Sequence, residues 1–77
     1  MKLRINFFAK PAAPNVAPPS IAHSTGDFDS LEAARKIAQL YAGNPKIMAH
    51  SVLIEADDGT TSEMWVREGA DWRREIP

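Results

Sequence analysis

The 77-residue chain contains no cysteine, which excludes disulfide bonds, thiolate metal sites and a cysteine nucleophile. Long apolar runs are also missing, because no stretch approaches the ~20 residues that a membrane-spanning helix needs. The first apolar run is interrupted by Arg4 and Asn6 and ended by Lys10, so it does not have the form of a signal peptide. We therefore expect a cytoplasmic protein with no membrane segment, and a complete chain that begins at its own Met1.

Charge of one sign is not in excess either. Nine Lys and Arg residues oppose ten Asp and Glu residues, which gives a formal net charge of −1. That balance does not require binding to nucleic acid or to an anionic membrane. With 44% hydrophobic and 25% charged residues, the composition is that of an ordinary globular domain. We expect residues 1–77 to form one small domain, which buries only roughly 60% of its unfolded surface.

The N-terminal half predicts a strand followed by a stiff loop. Apolar side chains occupy every second position from Leu3 to Phe7, which is the period of a strand with one buried face. Residues 10–20 contain four prolines, and proline interrupts both helices and central strands. This segment is therefore interpreted as a proline-rich loop. Residues 21–25 are a candidate short strand, which would make the loop the connection of a long hairpin.

An amphipathic helix is predicted after this loop. Asp29 is the expected N-cap, with Glu32 three residues later as in a capping box. Arg35 belongs to the polar face, which is expected to be solvated, and Gly43 and Pro45 end the helix. The apolar stripe expected to pack against a sheet consists of Leu31, Ala34, Ile37, Ala38 and Tyr41.

Two more strands are predicted at roughly residues 47–56 and 60–67, and their pairing depends on the length of the loop between them. A two-residue turn would place Val52 opposite Trp65, whereas a three-residue loop with a bulge at Gly59 would place Val52 opposite Met64. The three-residue loop gathers the apolar side chains on one face. Because a sheet under a single helix buries one side, we favour this loop.

The predicted fold is therefore α+β. A single helix packs on one face of a three- or four-stranded antiparallel sheet, in the order β-(β)-α-β-β. Residues 69–77 form a short tail that folds back onto the sheet with Trp72 and Ile76, or extends the last strand after a break at Gly69.

Catalytic and metal-binding patterns do not emerge from the sequence. His23 and His50 are the only histidines, and their separation has no metal-ligand spacing. No Gly-x-Ser-x-Gly motif is present, and acidic Asp27 and Asp29 would repel a phosphate group from the start of the helix. Asp57-Asp58-Gly59 is explained by a turn. We predict no catalytic residue, no cofactor and no metal, and hence a protein that is not an enzyme.

The favoured loop places Trp65 on the outer face of the sheet, together with Leu53 and Arg67. A large exposed aromatic side chain on a sheet often marks an interface. We therefore predict a protein-interaction or homodimerising module that uses the exposed sheet face at Leu53, Trp65 and Arg67. Coverage of Trp65 by the tail, or a place for Trp65 in the core after a shift in register, are the alternatives.

Nucleic-acid binding is the second functional hypothesis. Trp65, Arg67, Arg73 and Arg74 would supply a stacking platform and phosphate contacts, as in several RNA-binding modules. Acidic residues interleave with them, however, and residues 67–77 carry no net charge. Since a phosphate-binding surface normally shows a basic excess, this hypothesis is not favoured over a protein partner.

One short run resembles a known family. Ser24-Thr25-Gly26-Asp27, followed by Leu31-Glu32-Ala33-Ala34, is similar to the turn-to-helix junction of HicB-type antitoxins. Those small proteins have a strand-rich N-terminal half and hold an RNA-cleaving toxin, so the resemblance implies an antitoxin-like role. This chain departs from the pattern in its proline-rich loop and in having no DNA-binding helix or ribbon after the helix.

Overall fold

A computed structural model describes residues 1–75 and contains five strands and one helix. The elements are β1 (Lys2–Phe8), β2 (Ser20–Asp27), α1 (Leu31–Ala42), β3 (Ser51–Ala56), β4 (Ser62–Glu68) and β5 (Asp71–Glu75). All neighbouring strands are antiparallel, in the order β2-β1-β3-β4-β5. The predicted α+β class, with one helix and an antiparallel sheet, is confirmed. The sheet has five strands rather than three or four, and the order along the chain is β-β-α-β-β-β.

β1 lies in the sheet between β2 and β3, and its alternating pattern accounts for that position. Leu3, Ile5 and Phe7 are buried towards α1. The proline-rich loop connects β1 to β2 as a hairpin, and the Ala9 amide donates to the Pro19 carbonyl at 3.0 Å. The candidate strand at residues 21–25 is confirmed, and it extends from Ser20 to Asp27.

The helix begins one residue later than predicted. Ser30 is the N-cap, and its Oγ accepts a hydrogen bond from the Ala33 amide at 3.1 Å. The prediction of Asp29 as the N-cap is wrong. Asp29 and Ser30 are adjacent and both are good capping residues, so the spacing of Asp29 to Glu32 favoured the wrong one of two equivalent positions.

The face of α1 that packs against the sheet carries small side chains. Ala34, Ala38 and Ala42 are completely buried, whereas Leu40 is 73% exposed and Tyr41 is 49% exposed. The expected stripe is therefore only partly correct. The large side chains of β1 and β3 supply the bulk of the core, and the alanines let the helix approach them closely.

The register of β3 and β4 is the one given by the rejected two-residue turn. Val52 lies opposite Trp65, and Ile54 lies opposite Glu63. The loop itself contains four residues, 57–60, because the Ala56 amide donates to the Thr61 carbonyl at 2.9 Å. The prediction of a three-residue loop, with Val52 opposite Met64, is therefore wrong.

Two residues stabilise this longer loop. Asp58 Oδ1 accepts hydrogen bonds from the Thr60 amide at 3.0 Å and from the Thr60 hydroxyl at 2.6 Å, so Thr60 belongs to the loop and not to the strand. Gly59 has a φ of +76°, which confirms the left-handed glycine that the turn requires. Type I turns commonly form the basis of four-residue hairpin loops of this kind.

The one-residue shift exchanges the two faces of β4. Glu63, Trp65 and Arg67 face α1, whereas Met64 and Val66 face the opposite side, here called the outer face. Part of the outer face lies against the proline-rich loop. A shallow groove of about 210 Å³ between them is lined by Pro11, Pro18, His50, Ser51, Met64, Val66 and Glu75.

Most of the predicted tail forms the fifth strand. Gly69, with a φ of +64°, and Ala70 connect β4 to β5, which is the arrangement of a two-residue turn with glycine at its first position. Trp72 becomes half-buried against the core, so of the two alternatives for the tail the chain folds back onto the sheet; Ile76 lies outside the described residues. Within residues 1–75, no helix has the length and apolar character needed to cross a membrane.

Candidate functional site

The structure separates the residues that were predicted to share one surface. Leu53 lies on the outer face, as expected, but Trp65 and Arg67 lie on the side of α1. The prediction that all three share the outer face is therefore wrong, and the register of β4 is the reason. Arg74 joins Trp65 on the helix side as its direct cross-strand neighbour, whereas Arg73 points to the outer face.

A buried carboxylate lies at the junction of α1 with β4. The Glu63 side chain is 1% exposed, and Arg35 from the helix binds it through two hydrogen bonds, Nε to Oε1 at 2.6 Å and Nη2 to Oε2 at 2.9 Å. The Trp65 indole Nε1 also donates to Oε1 at 2.9 Å. Arg74 Nη2 lies 3.6 Å from Oε2. Three side chains from three elements thus satisfy one buried anion.

This arrangement keeps Glu63 ionised. Hydrogen bonding from Arg35 lowers the pKa of the Glu63 carboxyl, and the Trp65 hydrogen bond and the charge of Arg74 act in the same direction, against the effect of burial. A general acid needs a raised pKa and a proton within reach of substrate. The lowered pKa of Glu63 does not suit a general acid, and its contacts anchor α1 and hold the two arginines in place.

Four side chains next to this carboxylate form a mixed block, here called the Trp/Arg surface: Trp65, Arg67, Trp72 and Arg74. Trp65 pairs with Arg74 across the strands, and Arg67 pairs with Trp72. The Arg67 guanidinium lies 5.0 Å from the centre of the Trp72 ring, within cation–π range. Arg67 Nη2 also donates to the Ala42 carbonyl at 3.3 Å, at the end of α1.

Alternation along β4 and β5 sorts the charges that are mixed in the sequence. Glu68, Asp71 and Glu75 lie on the outer face with Arg73, which forms ion pairs with Glu68 and, at 3.3 Å, with Glu75. The helix side therefore retains Arg67 and Arg74 with one acid, Glu63. The acidic interleaving that counted against nucleic-acid binding is a property of the sequence order and not of this surface.

The exposed side of α1 is the second candidate surface. Ile37, Leu40 and Tyr41 are spaced i, i+3, i+4 and therefore adjoin one another on the helix, and all three are exposed. They are here called the helix stripe. The polar pair Glu32 and Lys36, with 3.9 Å between Oε1 and Nζ, lies on the same helix.

Sequence reasoning assigned Ile37 and Tyr41 of the helix stripe to the core and did not select Leu40. It also missed three residues around the buried carboxylate and the Trp/Arg surface. Arg35 was assigned to the solvated face of the helix, Glu63 to the outer face of the sheet, and Trp72 to the tail. The i, i+2 spacing of Glu63, Trp65 and Arg67 placed these three side chains together, but nothing local identified Arg35 as their partner. Among residues 1–75, no three His, Asp or Glu side chains come together in a way that could hold a metal ion.

Comparisons with known proteins give no further assignment. No family model matches the chain, and searches of curated proteins and of solved structures give no significant match.

Proposed function

We propose that this protein is a small non-enzymatic module that acts by binding another protein, and that the helix stripe is its contact surface. The observation that supports this proposal is the inverted distribution of apolar residues on α1. The helix packs Leu31 and its buried alanines against the core, but it presents Ile37, Leu40 and Tyr41 to solvent. A helix that served the core alone would bury its largest apolar residues, because these contribute most to the hydrophobic effect.

The outer face of the sheet is less suited to this role than the sequence suggested. Its apolar residues Leu53, Met64 and Val66 are half-buried, and the proline-rich loop lines the groove beside Met64 and Val66. Trp65, the residue on which that prediction rested, packs on the other side of the sheet against the core. The contact surface is therefore reassigned from the sheet to the helix.

The partner is expected to offer an apolar groove with a polar rim. Three adjacent apolar side chains on one helix are the pattern by which amphipathic helices enter such grooves. Glu32 and Lys36 beside the stripe suit a polar rim, which contributes to orientation more than to affinity. Leu40 and Tyr41, as the most exposed members of the stripe, are the expected hot spots.

The test compares two pairs of substitutions on the same helix. Leu40→Gln with Tyr41→Gln removes the apolar centre, while Glu32→Gln with Lys36→Gln changes only exposed polar residues and serves as the control. The wild type and both variants are used to capture partners from extract of the native organism, and the captured protein is then purified and titrated. Loss of two hot spots of about 2 kcal/mol each weakens binding by roughly 10²–10³-fold.

Both variants should fold, because every substituted side chain is exposed, and circular dichroism checks this. The control should bind within about threefold of the wild type, as expected for rim residues. Equal affinity of the stripe variant and the wild type for the purified partner would contradict the proposal. So would a partner that is lost only in the control.

Nucleic-acid binding is kept as a second candidate because of the charge sorting on β4 and β5. Arg67 and Arg74 lie beside two tryptophans on one face, where the single acid, Glu63, binds Arg35 through two hydrogen bonds and lies 3.6 Å from Arg74. The structure offers a matched pair for a test. Arg74→Gln changes the Trp/Arg surface, and Arg73→Gln changes the next residue on the opposite face.

The probe for this candidate is a 12-nucleotide single-stranded RNA, titrated between 50 and 200 mM salt. If the Trp/Arg surface binds it, Arg74→Gln should weaken binding and reduce the slope of log K against log salt by about one, while Arg73→Gln leaves both unchanged. Equal effects of the two substitutions, or no binding by the wild type at low salt, would rule out this surface.

A further inference from the structure

The two edges of the sheet are not equally protected. β5, at one edge, carries charged side chains at Asp71, Arg73, Arg74 and Glu75, which discourage a further strand. β2, at the other edge, contains no lysine, arginine or proline, and its acidic residue, Asp27, is the last of the strand. An edge segment without these charged residues or proline is a template for pairing with another strand.

The hydrogen bonds of β1 and β2 identify which backbone groups of this edge are free. The Phe28 amide donates to the Met1 carbonyl at 2.8 Å, and hydrogen-bonded pairs then alternate along the antiparallel ladder. Ala22, Ser24 and Gly26 therefore direct their amides and carbonyls towards β1. Those of His23, Thr25 and Asp27 point away from the sheet, where β2 has no further strand among the described residues.

The free segment ends at a bulge. The register between β1 and β2 shifts between Phe7 and Phe8, and Ile21 is the extra residue of β2 at this point. A bulge bends the strand and stops regular pairing beyond it. The regular part of the edge is thus residues 22–27. In three of these residues, here called outward-facing, the backbone amide and carbonyl point away from the sheet.

This short edge is self-complementary. If a second copy pairs antiparallel with the two-fold axis at Thr25, all three outward-facing residues of each copy fall in hydrogen-bonded positions. Thr25 then lies opposite its own copy, and His23 lies opposite Asp27 of the other copy, twice. Threonine pairs are among the favourable cross-strand neighbours. The Asp27 carboxylate already accepts a hydrogen bond from the Met1 ammonium through Oδ1 at 2.6 Å, and its remaining acceptor capacity can take a hydrogen bond from the His23 ring of the other copy. No other register places all three residues in such pairs.

We infer that two copies of this chain associate through their β2 strands, antiparallel and centred on Thr25, and thereby join their two sheets into one continuous sheet. The interface is isologous, as in most homodimers, and it closes on itself, so it does not lead to a fibre. It uses the sheet edge and leaves the helix stripe free. The inference therefore does not depend on the proposed contact surface of α1.

Hydrogen exchange measured at several protein concentrations tests the inference directly. In the dimer, the amides of His23, Thr25 and Asp27 should exchange about tenfold or more slowly than in dilute monomer, as mass action requires once dimer exceeds monomer by that factor. The inward amides of Ala22, Ser24 and Gly26 should be protected at every concentration. This alternation is specific to pairing through the edge.

Two substitutions at one position supply the control. Thr25→Pro removes the outward amide at the centre of the interface, and a proline on an edge strand with its nitrogen facing outward is compatible with the sheet. Thr25→Val keeps that amide and the β-branched shape. Sedimentation should show that Thr25→Pro is a monomer at concentrations where the wild type and Thr25→Val are dimers. Leu40→Gln with Tyr41→Gln should also remain dimeric.

A wild type that stays monomeric at millimolar concentration would overturn the inference. A dimer whose outward β2 amides exchange at the monomer rate would overturn it as well, as would edge protection that appears only with a different protein. Should Thr25→Pro fail to fold, the alternating exchange pattern of the wild type still decides the question.

Discussion

Replacing Glu63 by glutamine should destabilise the protein by about 2 kcal/mol at pH 7. The amide keeps the shape of the carboxylate and can still accept the Trp65 hydrogen bond, but Arg35 and Arg74 lose their anion. Removing one member of a fully buried ion pair lowers the free energy of unfolding by about 3–5 kcal/mol. The Arg35 side chain is 32% exposed, and its access to water reduces that cost towards the 1.5–3 kcal/mol of a charged hydrogen bond, about 2 kcal/mol.

Urea unfolding and thermal melting measure this change. In a domain of this size 1 kcal/mol lowers Tm by about 4–8 °C, so Glu63→Gln should lower it by about 8–16 °C. Glu68→Gln is the matched control, because Glu68 is also a strand carboxylate paired with an arginine but has a 58% exposed side chain. Exposed pairs contribute about 1 kcal/mol or less, and the control should lose no more than that.

The effect should also depend on pH with a defined sign. The pKa of Glu63 is lowered in the folded protein, chiefly by hydrogen bonding from Arg35. The contribution of the ionised Glu63 to the free energy of unfolding is therefore fully present above the unfolded-state pKa of about 4.3. It is lost as the pH falls through the folded-state pKa. The gap in stability between wild type and Glu63→Gln should close in that acidic range. A gap that is absent at pH 7, or constant down to pH 3, would refute the role of Glu63 as the anchor of α1.

Four further substitutions test the local structure through thermal melting. Ser30→Ala should cost about 1 kcal/mol by removing the N-cap acceptor, whereas Asp29→Ala should cost about 0.5 kcal/mol or less; the reverse order would place the cap at Asp29. Gly59→Ala should cost about 1 kcal/mol from backbone strain alone, since nothing lies within 4 Å of the added Cβ, and an unchanged Tm would argue against the left-handed turn. Trp65→Ser should cost about 2–4 kcal/mol, less than a fully buried tryptophan; a freely tolerated change would return Trp65 to the surface.

Local periodicity was sufficient for the parts of the fold that depend on one element. The alternation from Leu3 to Phe7 predicted β1 and its buried side, and the prolines predicted the loop that follows. The position of Gly59 in the turn was also apparent from local chemistry. In each case the residues that carry the signal are neighbours in the sequence.

The register of β4 depended on contacts that no local pattern contains. We chose the loop that gathers apolar residues on one face because a charged side chain such as Glu63 was not expected to be buried on the helix side. Arg35, 28 positions away in the sequence, makes that burial favourable with a two-point ion pair. The outer face was assumed to be solvated, but the proline-rich loop lies beside Met64 and Val66. Both assumptions failed for tertiary reasons, and the positions of Trp65 and Arg67 followed from them.

The central position of β1 has a consequence for the order of folding. β1 precedes the other four described strands in the sequence, yet one of its two neighbours, β3, follows only after β2 and α1, since Leu3 pairs with Ala56. The hairpin of β1 and β2 can form earlier, but a two-stranded hairpin alone is marginal in water. Leu3, Ile5 and Phe7 therefore stay without their core partners until α1 and β3 have been made. Docking of β3 on β1 must offset the entropy lost in closing this long segment, and long-range pairing of this kind slows folding.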